Sequence, residues 1–240
     1  MNRENKDYFI RGFRNGLPIG AGYFAVSFTL GIVMRNAGLT PIEGMVMSLL
    51  NNTSAGQVAG TEIIAENGSY FEIALSQLII NLRYLLMSAA LAPAVTSKMK
   101  TLPRLFVSFD ITDEVFALLI MQKRPLSEFF SFGVALASIP FWAAGTFLGI
   151  LFGNILPADV TSALSVALYA MFIAVIIPPA KKNLKLLILI VISMLISYLF
   201  TLIPYLKEIS QGMKIIVLTV LISTVAALVI PLKEEGRDAT

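Results

Sequence analysis

The chain has 240 residues, 57% of them hydrophobic and 14% charged, with a formal net charge of +3. Soluble domains carry about 25% charged residues. Here long apolar runs recur from residue 16 to residue 231, so the expectation is a single integral membrane domain spanning 1–240. With no Cys and no His, the sequence excludes disulfides, thiolate or imidazole metal ligation, Cys nucleophiles and His proton relays, and leaves proton chemistry to carboxylates, Tyr, Lys or water.

Eight apolar runs follow one another at about 16–34, 42–65, 70–93, 105–121, 129–153, 160–179, 184–203 and 213–231. About 20 residues span a bilayer core, and lipid leaves backbone groups no partner but their own helix. The predicted fold class is therefore all-α: a polytopic membrane helix bundle of six to eight transmembrane segments.

The first run is preceded by Arg3, Lys6, Arg11 and Arg14, like the basic start of a signal peptide. It continues to Met34 without a small-x-small cleavage site, so a retained helix is expected. Gly12, Gly16 and Gly20 repeat at intervals of four, with Pro18 among them. Such spacing lets helices approach closely.

The second run carries Asn51-Asn52-Thr53-Ser54-Ala55-Gly56-Gln57 at its centre. That stretch cannot face lipid. It suits an unwound segment whose backbone contacts a ligand, or a hydrogen-bonded continuous helix. Gly56 and Gly60 add one more packing pair.

The third run holds Arg83 near the middle of an otherwise uncharged stretch, Ser69 to Val95, apart from Glu72 near its start. A charge at that depth costs about 2.5–3.5 kcal/mol on insertion scales and demands a partner, a wet cavity or a ligand. Gln77, Asn81, Tyr84 and Ser88 share a stripe about 60° wide at 100° per residue, with Arg83 and Ser76 on its flank. The stripe reads as interhelical hydrogen-bond glue or as the wall of a substrate cavity, and the central Arg favours the cavity. A guanidinium fork matches a carboxylate, either a ligand's or one of Asp110, Asp113, Glu114 and Glu62.

The fourth run carries Asp110-Ile111-Thr112-Asp113-Glu114. On a continuous helix, Asp110, Asp113 and Glu114 share one face. Three acids that close cannot all ionise cheaply in a partly dry site, which suits proton exchange or cation binding through oxygen. The plainer reading is a cluster at a helix N-terminus, where acids suit the dipole.

The fifth run holds Pro140, Trp142 and a second ladder, Gly145, Gly149 and Gly153. Trp142 is either an anchor or a core filler. Lys181, Lys182 and Lys185 mark a cytoplasmic loop, and the last residues from Lys233 read as a solvated tail.

Positive charge biases loops toward the cytoplasm. With both termini inside and all eight runs crossing, 11 Lys/Arg lie inside and 6 outside. If runs 2 and 4 are broken or re-entrant and return to their own side, the split is 14 to 3. If run 2 alone fails to cross, the bias nearly vanishes. The two runs therefore behave alike, and re-entry scores better. Broken helices at membrane depth are tolerated where they line a cavity.

No nucleotide loop, zinc motif or serine-hydrolase elbow is present, and buried charges among helices favour transport over catalysis. Four stretches then carry a family resemblance: Gly12-Phe13-Arg14-Asn15-Gly16-Leu17-Pro18 with Gly22-Tyr23-Phe24; Asn81-Leu82-Arg83-Tyr84-Leu85-Leu86-Met87 through Leu91-Ala92-Pro93; Asp110 through Ala117; and Trp142 with Gly145 and Gly149. In order and spacing they resemble the AzlC family of branched-chain amino acid permeases, from about Gly12 to Pro178. The chain departs from the family's pattern at Tyr84, where His is usual, and in the run Thr53-Ser54-Ala55-Gly56-Gln57.

The resemblance implies export of branched-chain amino acids across the cytoplasmic membrane, usually with a small four-helix membrane partner, AzlD. The expected assignment is a secondary transporter of small amino acids, ion- or proton-coupled and not an enzyme. Arg83, Asn81, Gln57, Asn51, Asn52 and Tyr84 are expected at the substrate, and Asp110, Asp113 and Glu114 in coupling. The alternative is a non-transporting scaffold whose buried charges only fix packing.

Overall fold

The computed structural model describes residues 3–95, 99–122, 124–153, 183–203 and 209–229, with isolated positions between 155 and 181 and at 206. Among these residues every regular element is helical. Among the described residues, five helices are long and apolar enough to cross a membrane. They are α1 (Arg3–Asn36), α4 (Tyr70–Leu91, extended by a 3-10 turn to Ala94), α7 (Glu128–Phe152), α8 (Leu184–Leu202) and α9 (Gln211–Val229). The sixth apolar run, 160–179, lies largely outside the described residues.

The two runs with polar centres are each broken in two. The second forms α2 (Pro41–Asn51) and α3 (Ser54–Ala65), and the fourth forms α5 (Thr101–Phe109) and α6 (Asp113–Ile120). Each piece reaches only about 12–18 Å at 1.5 Å per residue, roughly half a bilayer core.

Local chemistry explains the breaks. Thr40 starts α2 with a capping box: its hydroxyl accepts from Glu43 N, and Glu43 accepts from Thr40 N at 2.8 Å. The helix ends where Asn52 enters the left-handed region at φ 40°, a conformation Asn tolerates better than most residues. Thr53 is then extended and caps α3, its hydroxyl accepting from Gly56 N. In the fourth run Thr112 plays the same part, accepting from Val115 N at 3.3 Å.

Both broken runs fold back on themselves. Ile64, at the end of α3, lines one groove with Ile42, Val46 and Met47 of α2. On a straight helix Ile42 and Ile64 would lie about 33 Å apart. At the second break, Leu126 N, just after α6, donates to Ala94 O, just before α5, at 2.8 Å. The chain leaves each hairpin where it entered, which is the arrangement that scored better on charge.

The frame behind the hairpins is α1 against α7. Their matched pairs rise together, Gly12 with Phe130, Gly20 with Ala137 and Phe28 with Gly149, so the two helices run parallel. An odd number of crossings between them requires this, and α4 supplies one. A Cβ at Gly20 would sit 2.0 Å from Ala137 O, and one at Gly149 would sit 2.0 Å from Phe28 O. Backbone lies on backbone there, and no other residue fits. The glycine ladders are packing surfaces, as their spacing suggested.

Each hairpin has its own apolar seat on this frame. Met47 and Val58 of the first join Leu30, Met34, Trp142 and Ile150. Val107, Ile111, Val115 and Leu119 of the second join Phe130 and Val134. Helix α9 is fastened differently: Glu72 of α4, 8% exposed, accepts from Met213 N at 3.0 Å and from the Ser210 hydroxyl.

Candidate functional site

The tips of the two hairpins meet. A cavity of about 220 Å³ opens between them, lined by Asn52, Thr53, Ser54 and Ala55 of the first, Thr112, Asp113 and Glu114 of the second, and Arg83 and Tyr84 of α4. Tyr23 of α1, Trp142 of α7 and Ile176 complete the wall. Both α3 and α6 begin at this cavity, so two helix N-termini, each with partial positive charge, point into it.

Arg83 lies across the middle. Its NH1 donates to Asp113 Oδ2 at 2.7 Å, a charge-assisted distance. Its NH2 donates to Tyr84 Oη at 2.9 Å, and its guanidinium lies 4.8 Å from the centre of the Tyr84 ring. Tyr84 Oη in turn donates to Thr53 Oγ1 at 3.2 Å, joining α4 to the first hairpin tip. The pair is not sealed: the side chains of Arg83 and Asp113 are 37% and 29% exposed, toward the cavity they line. Leu82, Leu85 and Leu86 face outward from the same helix. The carboxylate that meets Arg83 in this state is the protein's own.

Across the cavity, Tyr23 Oη donates to Glu114 Oε2 at 2.8 Å and also contacts Thr112 Oγ1. Its ring stands edge-on to Trp142, with centroids 5.5 Å apart.

Gln57 is fully buried and does not line the cavity. Its Oε1 accepts from Trp142 Nε1 at 3.0 Å, and its Nε2 donates to Ser48 Oγ at 2.6 Å. Ser48 continues to Thr146 Oγ1 at 2.7 Å. Gln57 thus holds the indole that forms the cavity wall. Trp142, 3% exposed, is a core residue with one face on the site.

The polar stripe of α4 divides along its length. Tyr84 reaches the cavity, while Gln77 donates to Gly56 O at 2.7 Å and packs α3 onto α4. Asn81 Nδ2 reaches Gln77 Oε1 at 3.4 Å, and its buried Oδ1 has no partner among the described residues. Ser88 lines a separate cavity with Arg104. Asn51 ends α2 beside Gly56 and is outside the cavity lining.

The acids do not share one helical face. The break at Asp110–Thr112 places Asp113 and Glu114 in the first turn of α6, within the cavity, and leaves Asp110 at the end of α5 behind it. Asp110 is 3% exposed and contacts Asn52 Nδ2 at 3.3 Å and Ser138 Oγ at 3.4 Å. The equal-face expectation assumed an unbroken helix, and Thr112 capping α6 removes that premise. Glu62, on α3, also lies outside the cavity lining.

Tyr23 and Thr112 were not singled out for the site. A Tyr inside an apolar run is a usable signal, because a buried phenol needs a partner. For Thr112 the signal was Thr-Asp-Glu, an N-cap followed by first-turn acids.

All the residues that line this site except Ile176 fall within a recognisable family pattern. A model of the AzlC protein family matches residues 18–156, which covers both hairpins, α4 and the Trp142 region. The chain belongs to the AzlC protein family. Like its relatives it is a membrane protein. An uncharacterized membrane protein of Archaeoglobus fulgidus is 34% identical over 175 residues, 70% of this chain and 76% of the relative. The inner membrane protein YgaZ of Escherichia coli is 28% identical over 183 residues, 73% and 74% of the two chains. The branched-chain amino acid transport protein AzlC of Bacillus subtilis is 23% identical over 190 residues, 77% and 74%. No solved structure matches this AzlC-family chain.

Proposed function

We propose that this chain is a secondary transporter of small amino acids, exporting branched-chain amino acids across the cytoplasmic membrane at the expense of a coupled ion or proton gradient. The observation that carries the reading is the cavity between the two hairpin tips, where a partly exposed Arg83–Asp113 pair faces paired helix N-termini. Its volume, about 220 Å³, lies below the range of drug-sized pockets and suits a metabolite. The name of the Bacillus subtilis relative supports the substrate class.

An amino acid is a zwitterion, and the site holds complementary charges. The substrate carboxylate takes the Arg83 fork and the N–H groups of Ser54 and Ala55, which begin α3 and have no helical acceptor. No acid occupies the first turn of α3, in contrast to α6. The ammonium takes Asp113 and Glu114. Substrate therefore replaces one internal ion pair with two external ones. The apolar side chain lies against Trp142, Tyr23 and Ile176. Short hairpins seated on a rigid frame are suited to moving against it around a fixed site.

The termini are placed in the cytoplasm on the charge bias. A small four-helix partner of the AzlD kind is expected from the family resemblance.

The test is flux. Purified protein in liposomes, with and without such a partner, is expected to carry leucine or valine across the bilayer, and Arg83→Lys is expected to insert and fold but not to transport, because an ammonium cannot supply the fork. Zero wild-type flux with every amino acid tried would sink the proposal.

A further inference from the structure

We infer that Asp110 is a proton-binding site distinct from the substrate cavity, and that it is the residue through which a proton gradient drives this transporter. The inference deepens the transport reading above and rests on it.

The hydrogen-bond geometry separates the two aspartates of the second hairpin. Asp113 meets a cation at 2.7 Å, the distance of a charge-assisted bond. Asp110 is 3% exposed and, among the described residues, has no cation among its contacts. Its partners are neutral and stand back, Asn52 Nδ2 at 3.3 Å from Oδ1 and Ser138 Oγ at 3.4 and 3.5 Å from the two carboxyl oxygens. An ionised carboxylate draws hydroxyl donors to about 2.5–2.7 Å.

Ser138 has one proton to give. The best acceptor for it is Val134 O, at 3.0 Å. The hydroxyl therefore gives Asp110 at most a weak, shared donation, at 3.4 and 3.5 Å. Among the described residues this leaves Asn52 Nδ2, at 3.3 Å, as the carboxyl's main donor. A buried carboxylate with only neutral partners is costly, so this state is the proton-loaded one.

The placement supplies the coupling. Asp110 caps α5, Asn52 caps α2, and Ser138 belongs to α7. The carboxyl therefore ties both hairpin tips to the frame. Asn52 also lines the cavity, one side chain away from the substrate. The titratable groups of the cavity in front of Asp110 are Tyr23 of α1, Asp113 and Glu114 of α6 and Arg83 of α4, and Arg83 is held by Asp113. The groups that touch Asp110 itself, Asn52 of the first hairpin and Ser138 of α7, are neutral. Loss of the proton leaves an anion that these neutral contacts hold poorly, which loosens the junction of the tips with the frame.

The experiment uses Asp110→Asn, an isostere of the neutral acid, with two readouts. In difference infrared spectra of the purified full chain at neutral pH, the wild type is expected to show the carbonyl stretch of a protonated carboxyl, and Asp110→Asn is expected to lack it. In liposomes, a pH gradient is expected to drive leucine accumulation by the wild type. Asp110→Asn is expected to lose that accumulation and to show leucine exchange that no longer varies with pH. An unchanged infrared band in Asp110→Asn, retained pH-driven accumulation, accumulation driven by Na⁺ instead of the pH gradient, or failure of Asp110→Asn to fold would each overturn the inference. Absence of wild-type flux would overturn the transport reading and with it the coupling role, while the infrared band still reports separately on whether Asp110 holds a proton.

Discussion

The frame formed by α1 and α7 and the pair of re-entrant hairpins are built from opposite materials. In the frame, glycines bring backbone against backbone, and the added Cβ distances of 2.0 Å leave no alternative packing. In the hairpins, helices of 8 to 12 residues, three of the four begun by Thr caps, are joined at the site by side-chain hydrogen bonds and one accessible ion pair. Dense packing is bistable at best and resists gradual change, whereas polar side chains exchange partners at little net cost. The division of labour follows: one region holds position and the other offers groups that a substrate can claim.

That contrast can be broken most severely at Gly149. Gly149→Val drives a branched side chain into Phe28 O and is expected to cost about 3 kcal/mol or more, read as lost folded yield or a lower midpoint in detergent unfolding. Gln57→Leu comes next. It leaves Trp142 Nε1 and the Ser48 hydroxyl without their partner in a dry core, with an expected loss of about 2–4 kcal/mol. If Gln57 contacted substrate instead, flux would fall with stability unchanged.

Arg83→Lys sharpens the other side. Flux is expected to drop at least tenfold, about 1.4 kcal/mol, while unfolding shifts by less than about 1 kcal/mol because the pair is partly exposed. Thr112→Ala, which removes the cap of α6, should cost about 1 kcal/mol in stability. Gly22→Ala is the smallest change. Nothing lies within 4 Å of a Cβ there, and a shift beyond about 0.5 kcal/mol would show that the frame packs differently from this description.

Much of this was legible in residue order. The seven polar residues from Asn51 and the acids from Asp110 marked both breaks, because neither stretch can face lipid. The charge count tied the two breaks to one fate. What was not legible was direction. Asn81 and Gln57 have the chemistry of ligand-binding amides, yet Gln57 is spent on Trp142 and Ser48, while among the described residues the Asn81 side chain reaches only Gln77. Helical periodicity placed Asp110 with Asp113, and a single cap at Thr112 separated them.

The sequence by itself determined the class of the molecule, its helical runs, the two polar stretches that cannot face lipid and the need of Arg83 for a partner. These follow from local rules: lipid forbids unpaired polar groups, and spacing alone reports periodicity. Only the tertiary structure decided that the partner is Asp113, that Tyr23 joins the site from 91 residues away in sequence, and that Asp110 stands apart among neutral groups. Those outcomes depend on which helix faces which, and that is set by the glycine-to-carbonyl fit of α1 on α7 and by the fold-back of the hairpins.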